Sequence, residues 1–183
     1  FELDMFIPRL RAHMNKKNAE VRELLLQWII LLNKTPGIEL LDSLPHFLDG
    51  LFEMLEDDKE EIVKQTELVL SDFLREISAS VHVDLHPMVG ILVHQMKLNE
   101  KHNSKRRGTA LIWLHEFLKL GKFKLSEYFP SILVVLLRCL KDSDAHIASQ
   151  ATNVNRELYA LIKKFSTLKQ PLHEHKVDLS CFF

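Results

Sequence analysis

Four prolines divide this chain into segments of similar length. Pro8, Pro45, Pro87 and Pro130 are separated by 37, 42 and 43 residues, and each opens a stretch of helical hydrophobic periodicity. Proline is tolerated in the first turn of an α-helix because the backbone N–H that it lacks has no partner there. We therefore expect each proline to lie in the first turn of a helix. A second amphipathic stretch follows each of these helices.

A repeat of about 40 residues built from two helices is typical of HEAT/armadillo-type proteins. The apolar stripes predict helix pairs over residues 3–34, 41–78, 84–120 and 125–165. The expected fold is all-α, a right-handed α-solenoid of about four HEAT/armadillo-like pairs whose second helices line the concave face. Residues 1–165 form the predicted array, and residues 166–183 form a predicted tail.

Residues that can cap helices occur where the predicted helices begin. A side-chain oxygen at such a position accepts a hydrogen bond from one of the first free backbone N–H groups. The stripes also predict that Trp28 and Trp113 are core residues and that Cys139 is buried. The expected caps are Asp4, Ser43, Asp84 and Ser126 for the first helices, and Asn18, Asp58, Ser104 and Asp144 for the second helices.

Composition narrows the functional classes. The net charge of −1 over 183 residues gives no electrostatic argument for nucleic-acid binding. The apolar runs are far shorter than the roughly 20 residues of a membrane-spanning helix. Two cysteines, Cys139 and Cys181, make no disulfide framework, which favours a reducing, cytosolic environment. Because the chain begins with Phe1, we interpret it as a fragment of a longer protein.

Several runs are more specific than helical periodicity requires. These runs are Leu40–Leu55, Ser71–Ile77, Trp113–Leu118, Tyr128–Leu133 and the following Cys139–Leu140. Apolar stripes recur in all HEAT repeats, but the polar residues Asp42, Asp49, Gly50 and Glu116 are harder to explain by shared HEAT constraints. In order and spacing the runs resemble the ArPIKfyve family of HEAT-repeat scaffolds over roughly residues 3–165.

The resemblance implies a non-catalytic scaffold of the PIKfyve/Fab1 phosphatidylinositol-3-phosphate 5-kinase complex. Its implied protein partners are that lipid kinase and a Sac-domain phosphatase that opposes it. It also implies self-association of the full-length protein and a location on the cytosolic face of endosomal, lysosomal or vacuolar membranes. An alternative is a generic HEAT-repeat adaptor in transport or cytoskeletal binding.

One basic cluster departs from the expected family pattern. Lys101, Lys105, Arg106 and Arg107 lie at the predicted start of a helix, where cations oppose the helix dipole by a few tenths of a kcal/mol each. A use that would justify this placement is binding to an acidic partner surface or to anionic lipid headgroups, and hence peripheral membrane association. The favoured interpretation is a solvated loop that binds nothing.

Helical phase adds four candidate partner-binding residues on the second helices. Arg22, Gln27, Lys64 and Arg75 are expected to be exposed on the face that binds partners. We expect a few central residues of that face to dominate the binding energy.

No pattern in the sequence calls for a metal, a cofactor or catalysis. His82 and His86 flank Asp84, and two further histidines flank Glu174, but a zinc site needs three or four converging ligands. Solvated or helix-capping histidines are therefore the favoured interpretation. A P-loop, a nucleophile elbow and an HExxH motif are all absent from the sequence.

Overall fold

The computed structural model describes residues 2–14, 18–80, 82–97 and 104–169. All of its regular elements within these ranges are helices. Two short 3-10 helices, Leu41–His46 and Lys122–Tyr128, lead into the third and seventh α-helices. The α-helices are α1 (Leu3–Met14), α2 (Ala19–Asn33), α3 (Leu48–Met54), α4 (Glu60–Ala79), α5 (His86–Lys97), α6 (Ser104–Gly121), α7 (Phe129–Cys139) and α8 (Ala145–Lys169).

The helices are arranged as four consecutive pairs. Within each pair the two helices contact each other, as α1 contacts α2 and α7 contacts α8. The first helices also contact the first helices of the neighbouring pairs, and the second helices do the same through α2, α4, α6 and α8. This stacking is that of an α-solenoid, so the predicted fold class is confirmed. The right-handed sense of the superhelix stays a prediction.

One hydrophobic core continues through all four pairs. Within the second pair the rings of Phe47 and Phe73 meet edge to face, with centroids 6.0 Å apart. Between the second and third pairs the ring of Phe52 meets that of Trp113 in the same way, again at 6.0 Å. Such aromatic contacts contribute about 0.5–1.5 kcal/mol beyond the area they bury. Trp113 and Cys139 are buried, as predicted.

The prolines have two different placements. Pro87 and Pro130 lie in the first turns of α5 and α7, as predicted. The prediction is wrong for Pro8, which is the sixth residue of α1, and for Pro45, which lies in the 3-10 helix before α3. Proline cannot donate the i→i−4 hydrogen bond of an α-helix. The chain takes a 3-10 turn through Pro45, and α3 begins only at Leu48.

Three predicted caps are confirmed by hydrogen bonds to backbone N–H groups two residues later. The side-chain oxygen of Asn18 accepts from Glu20 N–H at 2.9 Å. Asp84 and Asp144 accept equivalent bonds at 3.0 and 2.9 Å before α5 and α8.

The other cap predictions are wrong. At the start of α4 the carboxylate that accepts a backbone N–H, that of Lys59, belongs to Asp57 and not to Asp58. Ser104 is the first helical residue of α6, so it lies one position too late to cap it. Asp4 lies inside α1, and Ser43 and Ser126 lie inside the two 3-10 helices.

The core prediction for Trp28 is also wrong, because 40% of this residue is exposed. Trp28 and Trp113 are the tenth residues of α2 and α6, so they occupy equivalent positions. Trp113 is covered by Phe52 from the preceding pair. Within the described residues no pair precedes α1, and the Trp28 ring contacts Phe6 of its own pair at 6.3 Å.

The array ends with the longest of the described helices. α8 continues to Lys169, four residues beyond the predicted end of the array at residue 165. Residues 170–183, which make up the rest of the predicted tail, lie outside the described residues. In the part of the chain that the structure describes, no helix is long and apolar enough to cross a membrane.

Candidate protein-binding surface

A buried ion pair joins the third and fourth helix pairs. Arg107, the fourth residue of α6, donates from its guanidinium to the carboxylate Oδ2 of Asp142 at 2.9 Å. The two side chains are only 1% and 2% exposed. The other carboxylate oxygen of Asp142 accepts the backbone N–H of Asp144 at 3.0 Å. Asp142 therefore stabilises the turn before α8 and also binds the third helix pair through Arg107.

An equivalent ion pair joins the first and second helix pairs. Arg22, the fourth residue of α2, donates from Nε to Oδ2 of Asp57. Oδ1 of Asp57 accepts the backbone N–H of Lys59 at 3.0 Å, which is the geometry seen at Asp142. Both members of this pair lie 85 residues before their counterparts. The repeated contact thus holds neighbouring helix pairs in register.

The environment of Asp57 favours its charged form. Burial on its own raises the pKa of Asp57. The hydrogen bonds from Arg22 and from the Lys59 backbone, with the charges of both residues, outweigh burial and lower the pKa overall. Removing either partner of such a pair leaves a buried charge without compensation. The contact is consequently a structural one.

The candidate residues Arg22 and Arg107 were expected to be exposed, and this expectation is wrong. Arg107 is buried, and the side chain of Arg22 is 15% exposed. Their guanidinium groups are directed at carboxylates of the next helix pair and not at solvent. The prediction was wrong because helical phase takes no account of Asp57 and Asp142. These aspartates lie in turns 35 residues further along the chain.

The junction between the second and third pairs has no arginine at the corresponding position. The fourth residue of α4 is Val63, which is buried. Here the candidate Lys105 at the start of α6 donates to Glu67 of α4 at 3.3 Å, and both side chains are about half exposed. On the first-helix side, the Gln95 amide donates to the Asp49 carboxylate at 2.6 Å.

The rest of the basic cluster is only partly available to a ligand. Arg106 is half-buried, and its charge acts on Glu53 of α3. Burial raises the pKa of Glu53, the charge of Arg106 works against that rise, and the charge of Asp49 adds to it. Lys101 lies outside the described residues. With Lys105 and Arg107 paired across helices, the cluster is in large part an element of packing.

The remaining candidates lie on the outer side of the second helices, which we call the second-helix surface. Gln27 of α2, Lys64 of α4 and Arg75 of α4 are all exposed. Lys64 pairs with Glu60 at 2.9 Å, and Arg75 pairs with Asp72 at 2.8 Å, each within its own helix. Exposed pairs of this kind contribute only about 0–1 kcal/mol, so a binding partner can displace them at little cost.

Sequence reasoning missed two apolar residues on the same surface. Leu68 is 67% exposed and Ile112 is 41% exposed, and they are the ninth residues of α4 and α6. Gln27 is the ninth residue of α2, so the three residues occupy equivalent positions. Aligning the second helices by their first residues would have revealed this from the sequence, because the apolar residues fall where the other repeats carry amides.

The polar residues that carry the family resemblance acquire structural explanations. Asp49 accepts the Gln95 amide, and Glu116 accepts from Lys119 at 2.8 Å. Gly50 faces α1, where an added Cβ would lie 3.0 Å from Cβ and Sδ of Met14. Asp42 is exposed in the 3-10 helix. Two of the four thus fix the approach of neighbouring helix pairs.

The histidines near the start of α5 take part in ordinary packing. His86 donates its backbone N–H to Asp84, and its ring Nδ1 lies 2.9 Å from Oε1 of Glu127 in the next pair. His82, Asp84 and His86 are among the residues that line an open cavity of about 730 Å³. No group of three or more metal-binding side chains converges within the described ranges. His173, Glu174, His175 and Cys181 lie outside them.

The four helix pairs, their stacking and the ion pairs between neighbouring pairs define the class of protein. A family model described as "Stalled ribosome sensor GCN1-like, HEAT repeats" matches residues 64–175 of the chain. The chain belongs to this family of HEAT-repeat proteins.

More specific relatives are proteins named for VAC14. The chain is 40% identical over 161 residues, 88% of its length, to "Protein VAC14 homolog" of Arabidopsis thaliana. It is 30% identical over 109 residues, 60% of its length, to "Vacuole morphology and inheritance protein 14" of Saccharomyces cerevisiae. It is 38% identical over 86 residues, 47% of its length, to "Protein VAC14 homolog" of Schizosaccharomyces pombe. The resemblance to the ArPIKfyve family is confirmed by these relatives.

The similarity concerns a limited part of each relative. The chain spans 21% of the Arabidopsis protein, 12% of the Saccharomyces protein and 11% of the Schizosaccharomyces protein. No solved structure gives a significant match to the chain.

Proposed function

We propose that this segment is a non-catalytic part of a scaffold that assembles a phosphatidylinositol-3-phosphate 5-kinase with an opposing Sac-domain phosphatase. The observation that carries the proposal is the 40% identity over 161 residues to a VAC14 homolog. Membership in a HEAT-repeat family supports a binding role, because stacked helix pairs present extended surfaces to protein partners. No cofactor is part of this function.

The second-helix surface is the proposed site of partner binding. Gln27, Lys64 and Arg75 are exposed there. Lys105 and Arg106 lie at the edge of the same surface, at the start of α6, and Lys101 precedes them in the sequence. Arg22 and Arg107 stabilise this surface, because their ion pairs hold neighbouring helix pairs together.

The proposed location is the cytosolic face of endosomal, lysosomal or vacuolar membranes. The name of the Saccharomyces relative refers to vacuole morphology and inheritance, which supports this location. Binding to a membrane-associated kinase provides peripheral membrane association, and self-association is proposed for the full-length protein. A direct lipid site in the basic cluster is less favoured, because Lys105 and Arg107 are engaged with carboxylates of neighbouring helix pairs.

A chimera tests the scaffold function. The matching segment of the Arabidopsis protein would be replaced by this chain in cells that lack the endogenous scaffold. We expect restored phosphatidylinositol 3,5-bisphosphate and recovery of the lipid kinase with the affinity-purified chimera. A chimera carrying Arg107→Ala, which breaks the buried pair, serves as the control for a damaged array. A second control, Arg138→Glu, changes an exposed residue of the first helix α7 and should behave like the unmodified chimera.

The result can also identify a different function. If the chimera is folded and expressed but neither the kinase nor the lipid is recovered, the scaffold proposal is wrong. Recovery of tubulin or of transport cargo in place of the kinase would favour the generic HEAT-repeat adaptor.

A further inference from the structure

Two parallel rows of exposed side chains run across the second-helix surface. The first, the apolar row, consists of Leu68 and Ile112, the ninth residues of α4 and α6. The second, the basic row, consists of Lys34, Arg75 and Lys119, each the sixteenth residue counted from the first residue of α2, α4 and α6. All five side chains are exposed. The rows thus repeat from one second helix to the next.

The spacing within and between the rows is set by helix geometry. Residues seven apart on an α-helix lie on one face, about 10.5 Å apart along the axis. This is the separation between Leu68 and Arg75 and between Ile112 and Lys119. Packed helices lie about 8–10 Å apart, so successive members of each row are separated by a similar distance. The two rows therefore frame a strip about as wide as one α-helix.

The outermost charge along this strip is positive. Arg75 pairs with Asp72, and Lys119 pairs with Glu116, both at 2.8 Å. The Arg75 side chain is 76% exposed against 40% for Asp72, and Lys119 is 46% exposed against 32% for Glu116. An approaching partner consequently meets the cations before the carboxylates.

Other charged groups of the second helices include the exposed carboxylates Glu20 and Glu61 near the starts of α2 and α4, and Glu76 beside Arg75, which accepts from the Asn33 amide at 2.7 Å. Two further pairs also lie nearer the starts of the helices. Lys64 is paired with Glu60 at 2.9 Å, and Glu67 is paired with Lys105 at 3.3 Å. Each of these pairs is exposed and balanced in charge. The net charge of the basic row therefore remains positive.

We propose that the two rows form a docking site for an amphipathic α-helix of a partner protein, with an acidic stripe and an apolar stripe. A helix rises about 10.5 Å in seven residues, so acidic residues repeating every seventh position match Lys34, Arg75 and Lys119 in turn. Apolar residues with the same repeat on the other flank contact Leu68 and Ile112. Helices bind grooves on other proteins in this manner by their apolar faces. This inference rests on the proposed scaffold function, because it specifies the chemistry of one partner.

Designed peptides test the docking site directly. The probe is a fluorescein-labelled helical peptide of three heptads with glutamate and leucine stripes, and the measurement is fluorescence anisotropy with the whole 183-residue chain. Two matched peptides serve as controls, one with the same composition scrambled and one with lysine in place of each glutamate. We expect the acidic heptad peptide to bind at least about 10-fold more tightly than either control.

Variants of the chain locate the binding. Arg75→Glu, Lys119→Glu and Leu68→Glu should each weaken the acidic peptide by about 10-fold or more, since central contacts dominate such interfaces. Arg138→Glu, an exposed change on the first helix α7 and so outside the second-helix surface, should leave the affinity unchanged. Circular dichroism of each variant verifies that the helices are retained.

Several outcomes would overturn the proposal. These are equal binding of the scrambled or lysine peptide, no binding of the acidic peptide, or full affinity of the Arg75→Glu variant. Kinase recovery separates this failure from failure of the scaffold function. If a chimera with Arg75→Glu and Lys119→Glu still recovers the kinase while the peptide does not bind, the scaffold function stands and the docking site does not.

Discussion

Arg107 and Asp142 form an ion pair across the junction of two helix pairs, and almost none of either side chain reaches solvent. Truncating one partner of a buried pair leaves the other charge uncompensated, at a cost of about 3–5 kcal/mol. We expect Arg107→Ala to lower the free energy of unfolding by that amount in urea denaturation followed by circular dichroism. Arg75→Ala removes an exposed pair and should cost less than about 1 kcal/mol. Equal losses in the two variants would contradict the structural role of Arg107.

The pair between Arg22 and Asp57 makes stability depend on acidic pH. The pKa of Asp57 in the folded chain is lowered from its ordinary value of 3.8, so folding favours the charged carboxylate. The contribution of Asp57 to the free energy of unfolding is fully present at pH values above its ordinary pKa. This contribution is lost as the pH falls through the lowered pKa. We expect the stability difference between the parent chain and Asp57→Asn to be largest near pH 6 and to shrink below pH about 3.

Urea titrations at several pH values measure this difference. Asp58→Asn is the matched control, because Asp58 is the exposed neighbour. An Asp57→Asn variant that keeps the pH profile of the parent chain would show that the pair makes no contribution.

Gly50 sets how closely α1 approaches α3. A methyl group there would lie 3.0 Å from Cβ and Sδ of Met14, which is too close for an ordinary contact. Overpacking of this kind costs about 1–3 kcal/mol. We expect Gly50→Ala to destabilise the chain by that amount in thermal unfolding. Gly90→Ala is the control, because a Cβ at Gly90 meets nothing within 4 Å. A double variant with Met14→Ala should recover part of the loss caused by Gly50→Ala.

The two tryptophans should report opposite environments. Trp113 is 1% exposed and Trp28 is 40% exposed. We expect acrylamide to quench the emission of a Trp113→Phe variant, which retains Trp28, much more strongly than that of a Trp28→Phe variant. Replacing Trp113 by alanine should cost about 3–5 kcal/mol, as for other large buried aromatic residues. The same change at Trp28 should cost clearly less.

Hydrophobic periodicity was sufficient to predict the helix pairs and their stacking, because each helix buries a continuous apolar stripe. It was insufficient at Trp28, whose stripe would be covered only by a neighbouring pair. It also failed at Pro45, which lies in a 3-10 helix before α3 and not in the first turn of an α-helix. Neither the exposure of Trp28 nor the helix type at Pro45 is determined by the apolar residues that produce the periodicity.

The binding surface was predicted less well than the fold. Gln27 and Arg75 lie on the exposed face as expected, but Arg22 and Arg107 do not. Whether a charged residue faces a partner or a neighbouring repeat depends on a carboxylate brought close only by folding. Exposed Leu68 was overlooked, although in helical phase it lies nearly opposite the buried residues of α4.

The buried Val63 has a consequence for how the array comes apart. A stack of repeats melts as one body only when every junction between neighbours is strong enough to couple them. Buried ion pairs connect Arg22 with Asp57 and Arg107 with Asp142, whereas Val63 occupies the corresponding position at the middle junction. Each half of the molecule thus contains one such ion pair and one tryptophan as a reporter, and the halves meet at the junction where Phe52 packs against Trp113. Partial denaturation is expected to separate one cooperative half from the other before either half loses its helices.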